Sequence, residues 1–556
     1  MKAFLGFLFV VACGGSPEVL LISEPTSLAD EMLLREVSPQ ITILESQILR
    51  GKMDGKQQRK LLKKGLPVIS GFLGSLTRFS FHVEQVFVSK TRLNVLLSHE
   101  GLVVGSTVKG IQGESTLGFE KRNSVWKLVD WAAKSEAEQE ENQFYFREVL
   151  AEKTTAEFGV ELKRSVHEEK VSQRLLTGEI SGVNHPLEYE SFDRHPGLAV
   201  ADVDGNGWED ILVMARWGPN QLLLNDQGQF RSGGEAFGLD GYAHSTSAVF
   251  ADLDNDGDPD LVLGRSLESS VILINQGGRF QALPDAVELP SLVSSVSVVD
   301  IDSDGLLDVY FSTYAASIVE RIRDFAGTDL KKAVLPLQGF LSADQALALA
   351  GKVVASEFHF YLDRPGPQNE VFRNLGDGKF EHKDLPASLG IMRNTYQSSW
   401  SDVDSDGDPD VYLANDFAPN NLFINDGDWQ FTDRAEVTGV SDFGFGMGVG
   451  WGDFDRDGHF DLYVSNMYSR AGRRITSRMD EMDPRISKAA RGNSLFRNTR
   501  FGFERVSGLD TGLQVERAGW AWGGQFLDIN NDGLQDLYVP NGYYSAPKEA
   551  ALDRDT

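Results

Sequence analysis

Cysteine is nearly absent: the 556 residues contain one. Without a second thiol there is no intrachain disulfide and no cysteine-based zinc site. Proline is sparse at 19, and the 56 glycines follow no G-x-y period, which excludes a collagen-like chain. Basic residues are in deficit, 53 against 82 acidic ones, for a formal net charge of -29. A field of that sign repels phosphate backbones and argues against nucleic acid as a partner. The nine histidines are scattered, with neither an H-E-x-x-H nor a G-x-S-x-G element among them. Nothing past the first dozen residues reaches the ~18 apolar residues of a membrane-spanning helix.

What is present looks globular. Hydrophobic residues make up 41% and charged residues 24%, ordinary values that exclude wholesale disorder. The length predicts about three or four domains of roughly 150 residues. Residues 1–12 carry one lysine and an apolar run from Ala3 to Ala12, about ten residues and so ~15 Å as helix, which suits a secretory signal rather than a membrane span. Val10-Val11-Ala12-Cys13 resembles a lipobox, which implies lipidation of Cys13, a tether over 13–30 and placement as an exported lipoprotein at a bacterial outer membrane or cell surface.

A small α+β domain is expected over 31–133. A helical pattern runs from about Ser27 to Gly71. Five short strands follow at Phe79 to Phe87, Arg92 to His99, Ser106 to Ile111, Ser115 to Lys121 and Val125 to Trp131. The module loosely resembles the nuclear-transport-factor-like fold and reads as a spacer or docking domain. Residues 134–185, dense in Glu and Lys, read as a charged helical linker.

From 186 to 556 one nine-residue pattern, D-x-[DN]-x-[DN]-G-x-x-D, occurs six times. Its side-chain oxygens come from Asp202, Asp204, Asn206 and Asp210; Asp252, Asp254, Asp256 and Asp260; Asp300, Asp302, Asp304 and Asp308; Asp402, Asp404, Asp406 and Asp410; Asp453, Asp455, Asp457 and Asp461; and Asp528, Asn530, Asp532 and Asp536. Oxygens at positions 1, 3 and 5 of a tight loop converge on one centre, glycine at 6 permits the turn, and a carboxylate at 9 completes a hard, flexible shell. Such a shell suits Ca2+ better than Mg2+. An EF-hand begins alike but needs a carboxylate at position 12. Here position 12 is Val213, Leu263, Phe311, Leu413, Val464 or Val539, inside β-branched and aromatic runs that read as strands. The loops therefore join strands, and the EF-hand is excluded.

A second element follows the first five loops, ending in Asn225, Asn275, Asn374, Asn425 and Asn498, with Phe230, Phe280, Phe380, Phe431 and Phe503 shortly after. Each unit thus reads strand, metal loop, strand, strand, turn, strand, and repetition of such four-stranded units every ~50 residues predicts a β-propeller of six or seven blades. The long interval after Asp308 reads as one blade with a helical insertion at about 315–355. A second insertion, at about 469–491, carries Arg470, Arg473, Arg474 and Arg478. The sixth unit shows two strands, to be completed by the segment near Leu187 to Phe192 unless the chain is a fragment.

These strings resemble FG-GAP and VCBS-type repeats of integrin-α-like propellers. Gly446 to Asp453, Leu462 to Ser469, Asn415 to Asn420 and Tyr538 to Gly542 resemble the cartilage acidic protein family with its ASPIC/UnbV-associated members. The resemblance implies a secreted or surface-exposed calcium-binding propeller.

The charge has a local source. Of the 24 residues that supply the pattern oxygens 22 are Asp; removing them takes -29 to -7, and six bound divalent ions take it to -17. The expected function is a non-enzymatic, calcium-stabilised recognition or adhesion scaffold for a protein or glycan ligand, with the arginine-bearing insertion as candidate surface and the membrane touched only through a lipid anchor. The competing expectation is a calcium-dependent polysaccharide lyase or hydrolase on the same scaffold.

Overall fold

The computed structural model describes residues 28–141, 174 and 197–541, apart from 53–54, 89–91, 105–107, 123–124, 215–218, 240, 284–286, 356–362, 386–388, 469–483, 500 and 509–513. The signal and lipidation expectations, Cys13, most of the tether, most of the linker and the segment near Leu187 lie outside the described residues. No helix among the described residues is long and apolar enough to cross a membrane.

Two helices, α1 (Leu28–Leu49) and α2 (Gly55–Gly65), precede a four-stranded antiparallel sheet in simple order: β1 (Leu76–Val88), β2 (Arg92–Val104), β3 (Val108–Arg122) and β4 (Val125–Glu141). Val37, Ile41, Leu44 and Ile48, spaced at helical intervals, pack on Phe79, Phe81, Leu97, Phe119 and Trp131 from the sheet. Trp131, fully buried, donates from its indole to Ser115 Oγ at 3.0 Å.

Two expectations are corrected here. The described part of the expected Ser106 to Ile111 strand, from Val108, and Ser115 to Lys121 belong to one strand, β3, because Gly113 is not a turn. A Cβ on Gly113 would lie 2.3 Å from the Ser135 carbonyl oxygen, so glycine there permits close approach of β4. The charged linker also begins later than expected: residues 134–141 continue β4, paired with β3 from Ser135 to Glu141 after a bulge at Lys134. Glu136 is no solvated charge. Its side chain is 3% exposed, lies 3.3 Å from His99 Nε2, and accepts the amides of Val68 and Ile69.

The remainder is mainly β, built of consecutive antiparallel sheets. The first holds β5 (Leu198–Ala201), β6 (Asp210–Val213), β7 (Gln221–Asp226) and β8 (Gln229–Ser232). The second holds β9 (Ser245–Ala251), β10 (Asp260–Arg265), β11 (Val271–Asn275) and β12 (Phe280–Ala282). The third holds β13 (Val293–Val299), β14 (Asp308–Thr313), β15 (Glu370–Asn374) and β16 (Phe380–Lys383). The fourth comprises β17 (Asn394–Ser401), β18 (Asp410–Pro419), β19 (Asn421–Asn425) and β20 (Phe431–Asp433), with β21 (Phe443–Phe445) also on β18. The fifth comprises β22 (Gly448–Gly452), β23 (Asp461–Ser465), β24 (Ser494–Thr499) and β25 (Gly502–Arg505), and the sixth only β26 (Gln525–Leu527) and β27 (Asp536–Tyr538). In every full sheet the strands pair in sequence order, each carboxylate loop joining the first to the second.

The second strands of the second to fifth sheets are buried on both faces, which is why they read as continuous apolar runs. Leu261 and Leu263 join a core with Leu212 and Leu222 of the preceding sheet, whereas Val262 joins one with Val309 and Phe311 of the following sheet. Val411 and Leu413 likewise face Tyr310 and Val371, while Tyr412 and Ala414 face Leu462 and Val464. Tyr463 packs toward Phe526 and Leu537. The second to fifth sheets are thus each wedged between their neighbours in chain order. First strands meet through a polar seam: Thr246 Oγ1 donates to the Val293 carbonyl at 2.7 Å, and Ser297 Oγ to that of Ser398 at 3.0 Å. On β22 the glycines permit contact with the sixth sheet; a Cβ on Gly450 would lie 2.6 Å from the Gly524 carbonyl oxygen.

The long interval after Asp308 holds one sheet and an insertion, since β14 pairs directly with β15 across residues 314–369. Helices α3 (Ala316–Ala326), α4 (Leu330–Val334) and α5 (Ala343–Ala355) form the insertion, around Ile318, Ile322, Leu337, Leu349 and Val353.

Candidate metal centre

All six loops share one hydrogen-bond plan. The position-1 carboxylate accepts the amides of positions 5 and 6, as when Asn206 and Gly207 donate to Asp202 at 3.0 and 2.7 Å and Asp532 and Gly533 to Asp528 at 3.0 and 2.7 Å. The position-5 oxygen accepts the amide of position 7, as from Asp258 to Asp256 at 2.9 Å. The glycines at position 6 have φ from 79° to 100°. Position 4 is left-handed too, at Gly205, Asn255, Ser303, Ser405, Arg456 and Asn531. Two left-handed residues in close succession curl the loop around its own oxygens.

The position-9 aspartates do something spacing alone did not reveal. Asp210, Asp260, Asp308, Asp410 and Asp461 are fully buried at the start of the second strands. One oxygen of each accepts the amide of position 2, and the other accepts the amide of the asparagine that ends the third strand. For Asp410 the donors are Val403 and Asn425, both at 2.8 Å. Asp536 accepts from Ile529 at 3.1 Å in the same way.

The asparagine side chains extend this stitching. Asn425 Nδ2 donates to the Pro409 carbonyl at 3.3 Å and to that of Ile301, in the preceding sheet's loop, at 3.1 Å. Asn374 reaches Leu253 at 2.8 Å and Asn275 reaches Val203 at 3.4 Å. Their recurrence was visible in the sequence; the role of these three, tying a loop to the next sheet, depends on sheet packing and was not.

Carboxylate oxygens converge in five of the loops. Asp202, Asp204 and Asp210; Asp252, Asp254 and Asp260; Asp300, Asp302 and Asp304; Asp402, Asp404 and Asp406; and Asp453, Asp455 and Asp461 each bring three oxygens within 4.8 Å of one another. Asp256, Asp457, Asp308 and Asp410 stand outside these triplets, and Asn206 contributes an amide rather than a carboxylate. Asp528, Asn530, Asp532 and Asp536 form no such triplet among the described residues.

Crowding and burial act on these acids in one direction. Burial, opposed by the two backbone donors and reinforced by neighbouring aspartates, pushes Asp260 up to about 6 and Asp308, Asp410 and Asp461 up to about 7. Asp254 and Asp404 are also raised, by burial first and then by the adjacent position-5 carboxylate. One oxygen each of Asp254 and Asp302 is shielded from solvent and takes no hydrogen bond from the protein. An acid oxygen in that state fits a hard cation, the partner that an all-oxygen donor set favours.

Arg470, Arg473, Arg474 and Arg478 lie outside the described residues. Arg485, nearby, pairs with Asp363 at 2.8 Å, and Arg491 lies 3.6 Å from Glu516.

A model of the FG-GAP-like repeat matches residues 202–263 and 402–464, two of the stretches containing these loops. The chain carries FG-GAP-like repeats in these two places. The chain is similar to cartilage acidic protein 1 of Mus musculus, at 24% identity over 44% of this chain and 47% of the relative, and to that of Homo sapiens, at 24% over 44% and 46%. The Xenopus tropicalis protein is 27% identical over 30% of each chain. The chain thus spans about half the length of the first two of these relatives. All three are vertebrate proteins, which overturns the expected placement as a lipoprotein at a bacterial surface.

Proposed function

We propose that the repeat region is a calcium-binding β-propeller serving as a non-enzymatic recognition or adhesion scaffold. The observation that carries this reading is the convergence of carboxylate triplets in five loops of one plan, with buried, unpartnered oxygens on Asp254 and Asp302. Sheets wedged in chain order around a polar seam of first strands support the propeller. In it the loops sit at one end of every sheet, and the 314–369 and 466–493 connections leave from the other. Calcium then stiffens one face, while the other face takes a protein or glycan ligand. Extracellular calcium modules of this donor type work at about 0.1–1 mM, which suits a protein acting outside the cell.

Titration calorimetry of the full chain with calcium, before and after chelation, followed by a glycan and surface-protein binding screen, tests the reading. Calcium uptake at millimolar levels, with ligand capture lost in chelator, is expected. Absence of calcium heat in chelator-stripped protein would overturn it.

A further inference from the structure

The third loop differs from its siblings. Just before the closing asparagine, the third strands carry Leu224, Ile274, Arg373, Ile424 and Arg497. Arg497 pairs across its ladder with Glu504 at 2.5 Å. Arg373 has a cross-strand glutamate as well, Glu381, yet its Nη2 lies 2.7 Å from Asp302 and 3.0 Å from Asp304, positions 3 and 5 of the loop. Trp429, from the next sheet, donates its indole N–H to Asp302 at 3.0 Å. The Asp302 side chain is 11% exposed, so this charge pair is poorly screened. The loop nearest in kind is the first, where Arg231 stands 3.7 Å from Asp204 with its side chain 63% exposed, a loose pair of little weight.

A guanidinium and a divalent cation compete for the same oxygens. Arg373 already cancels part of the charge that would attract the ion, and its displacement has to be offset before the ion can use Asp302 and Asp304. We propose that Arg373 is the resident cation of the third loop and sets that loop's calcium affinity below that of the other four gathered loops. The inference rests on the calcium reading above. It makes the repeats unequal: the third sheet, which carries the helical insertion, keeps its loop neutralised when calcium is scarce, and it is the last to fill. Glu381 is placed to receive the guanidinium once the ion enters.

Trp429 provides a local reporter. Tryptophan-sensitised terbium emission is titrated in the full chain, and the fraction of emission that W429F removes is assigned to the third loop. Wild-type protein is expected to show this fraction only at terbium concentrations roughly tenfold above those that fill the other loops. In R373Q it should move about tenfold lower and merge with the rest. R373I, carrying the residue type of Ile274 and Ile424 at the same register, should behave like R373Q and guards against a folding defect of either variant. A Trp429-dependent midpoint identical in wild type and both variants, while the other loops fill normally, overturns this inference and leaves the calcium reading intact. Absence of sensitised emission from every loop overturns both.

Discussion

The N-terminal module and the repeat region bury their charges in opposite ways. In the module, Glu136 is the buried acid beside His99, and it accepts two amides between a helical segment and a sheet that share one apolar core. In the repeats, buried acid is the rule, with five fully buried position-9 aspartates, of which Asp210, Asp260 and Asp461 belong to the carboxylate triplets and Asp308 and Asp410 stand beside them. The module has the parts of a self-sufficient fold. The repeats gather like charges in five of their loops, which on the calcium reading a cation relieves. A buried carboxylate is tolerable when amides solvate it, and several together are relieved by a cation or by taking up protons.

Chelation is the strongest way to break the comparison. A site filled at a hundred times its Kd stabilises by about 2.7 kcal/mol, and several such sites act on one repeat region. Scanning calorimetry of the full chain in calcium and in excess chelator should show the repeat transition falling by roughly 10 °C or more. The module's transition, governed by Trp131 and its neighbours, should stay in place. Equal shifts of both, or of neither, would erase the distinction.

Acid should partly replace the metal. In the metal-free fold Asp260, Asp308, Asp410 and Asp461 hold protons up to about 6 or 7, whereas in the unfolded chain they release them near the ordinary 3.8. Between those values the folded state binds more protons, so its stability is greatest at the low end and declines as pH rises from about 4 to 7. Each tenfold gain in proton affinity on folding is worth about 1.4 kcal/mol, and relaxation of the loops absorbs much of it, which leaves a combined effect on the order of 5 kcal/mol. Denaturant melts in chelator at pH 5 and pH 8 should show the repeat region weaker at pH 8. Saturating calcium should flatten or reverse that slope. A metal-free repeat region that is firmer at pH 8 contradicts the picture of crowded acids.

The two regions also differed in how much of them was legible. Sequence exposed the repeat strands because the loops phase them: Leu261 to Leu263 and Val411 to Leu413 are apolar on both faces directly after a fixed motif. It also separated the insertion from a lost repeat, since the asparagine element occurs once between Ala315 and Asn374. The module has no such punctuation. Gly113 looked like a turn because a glycine kept for close approach has the same letter as one kept for a bend, and Glu136 looked solvated because its acceptor role depends on residues near 68 in sequence. Contacts between sheets were hidden for the same reason. Nothing local distinguishes Arg373 from Arg497, although one grips a loop and the other a neighbouring strand.

The smallest expected effect sharpens the comparison most, because it separates the metal's contribution from that of the stitching. Asn425 touches no carboxylate triplet, yet its side chain joins the carbonyls of Pro409 and Ile301 and accepts the Gly427 amide at 3.1 Å. Asn425→Ala leaves those carbonyls buried without their donor, a cost of about 1–3 kcal/mol. The backbone amide that serves Asp410 is retained, so the fourth loop keeps its position-9 anchor. The variant should therefore lose stability in calcium and in chelator by similar amounts, with calcium affinity unchanged within about twofold. Hydrogen exchange should rise at Ile301 and Asp302 in the third loop as well as at residues 425–427. If the loss appears only in calcium, the asparagines act through the metal loops, and neighbouring repeats are coupled by the ion rather than by the backbone.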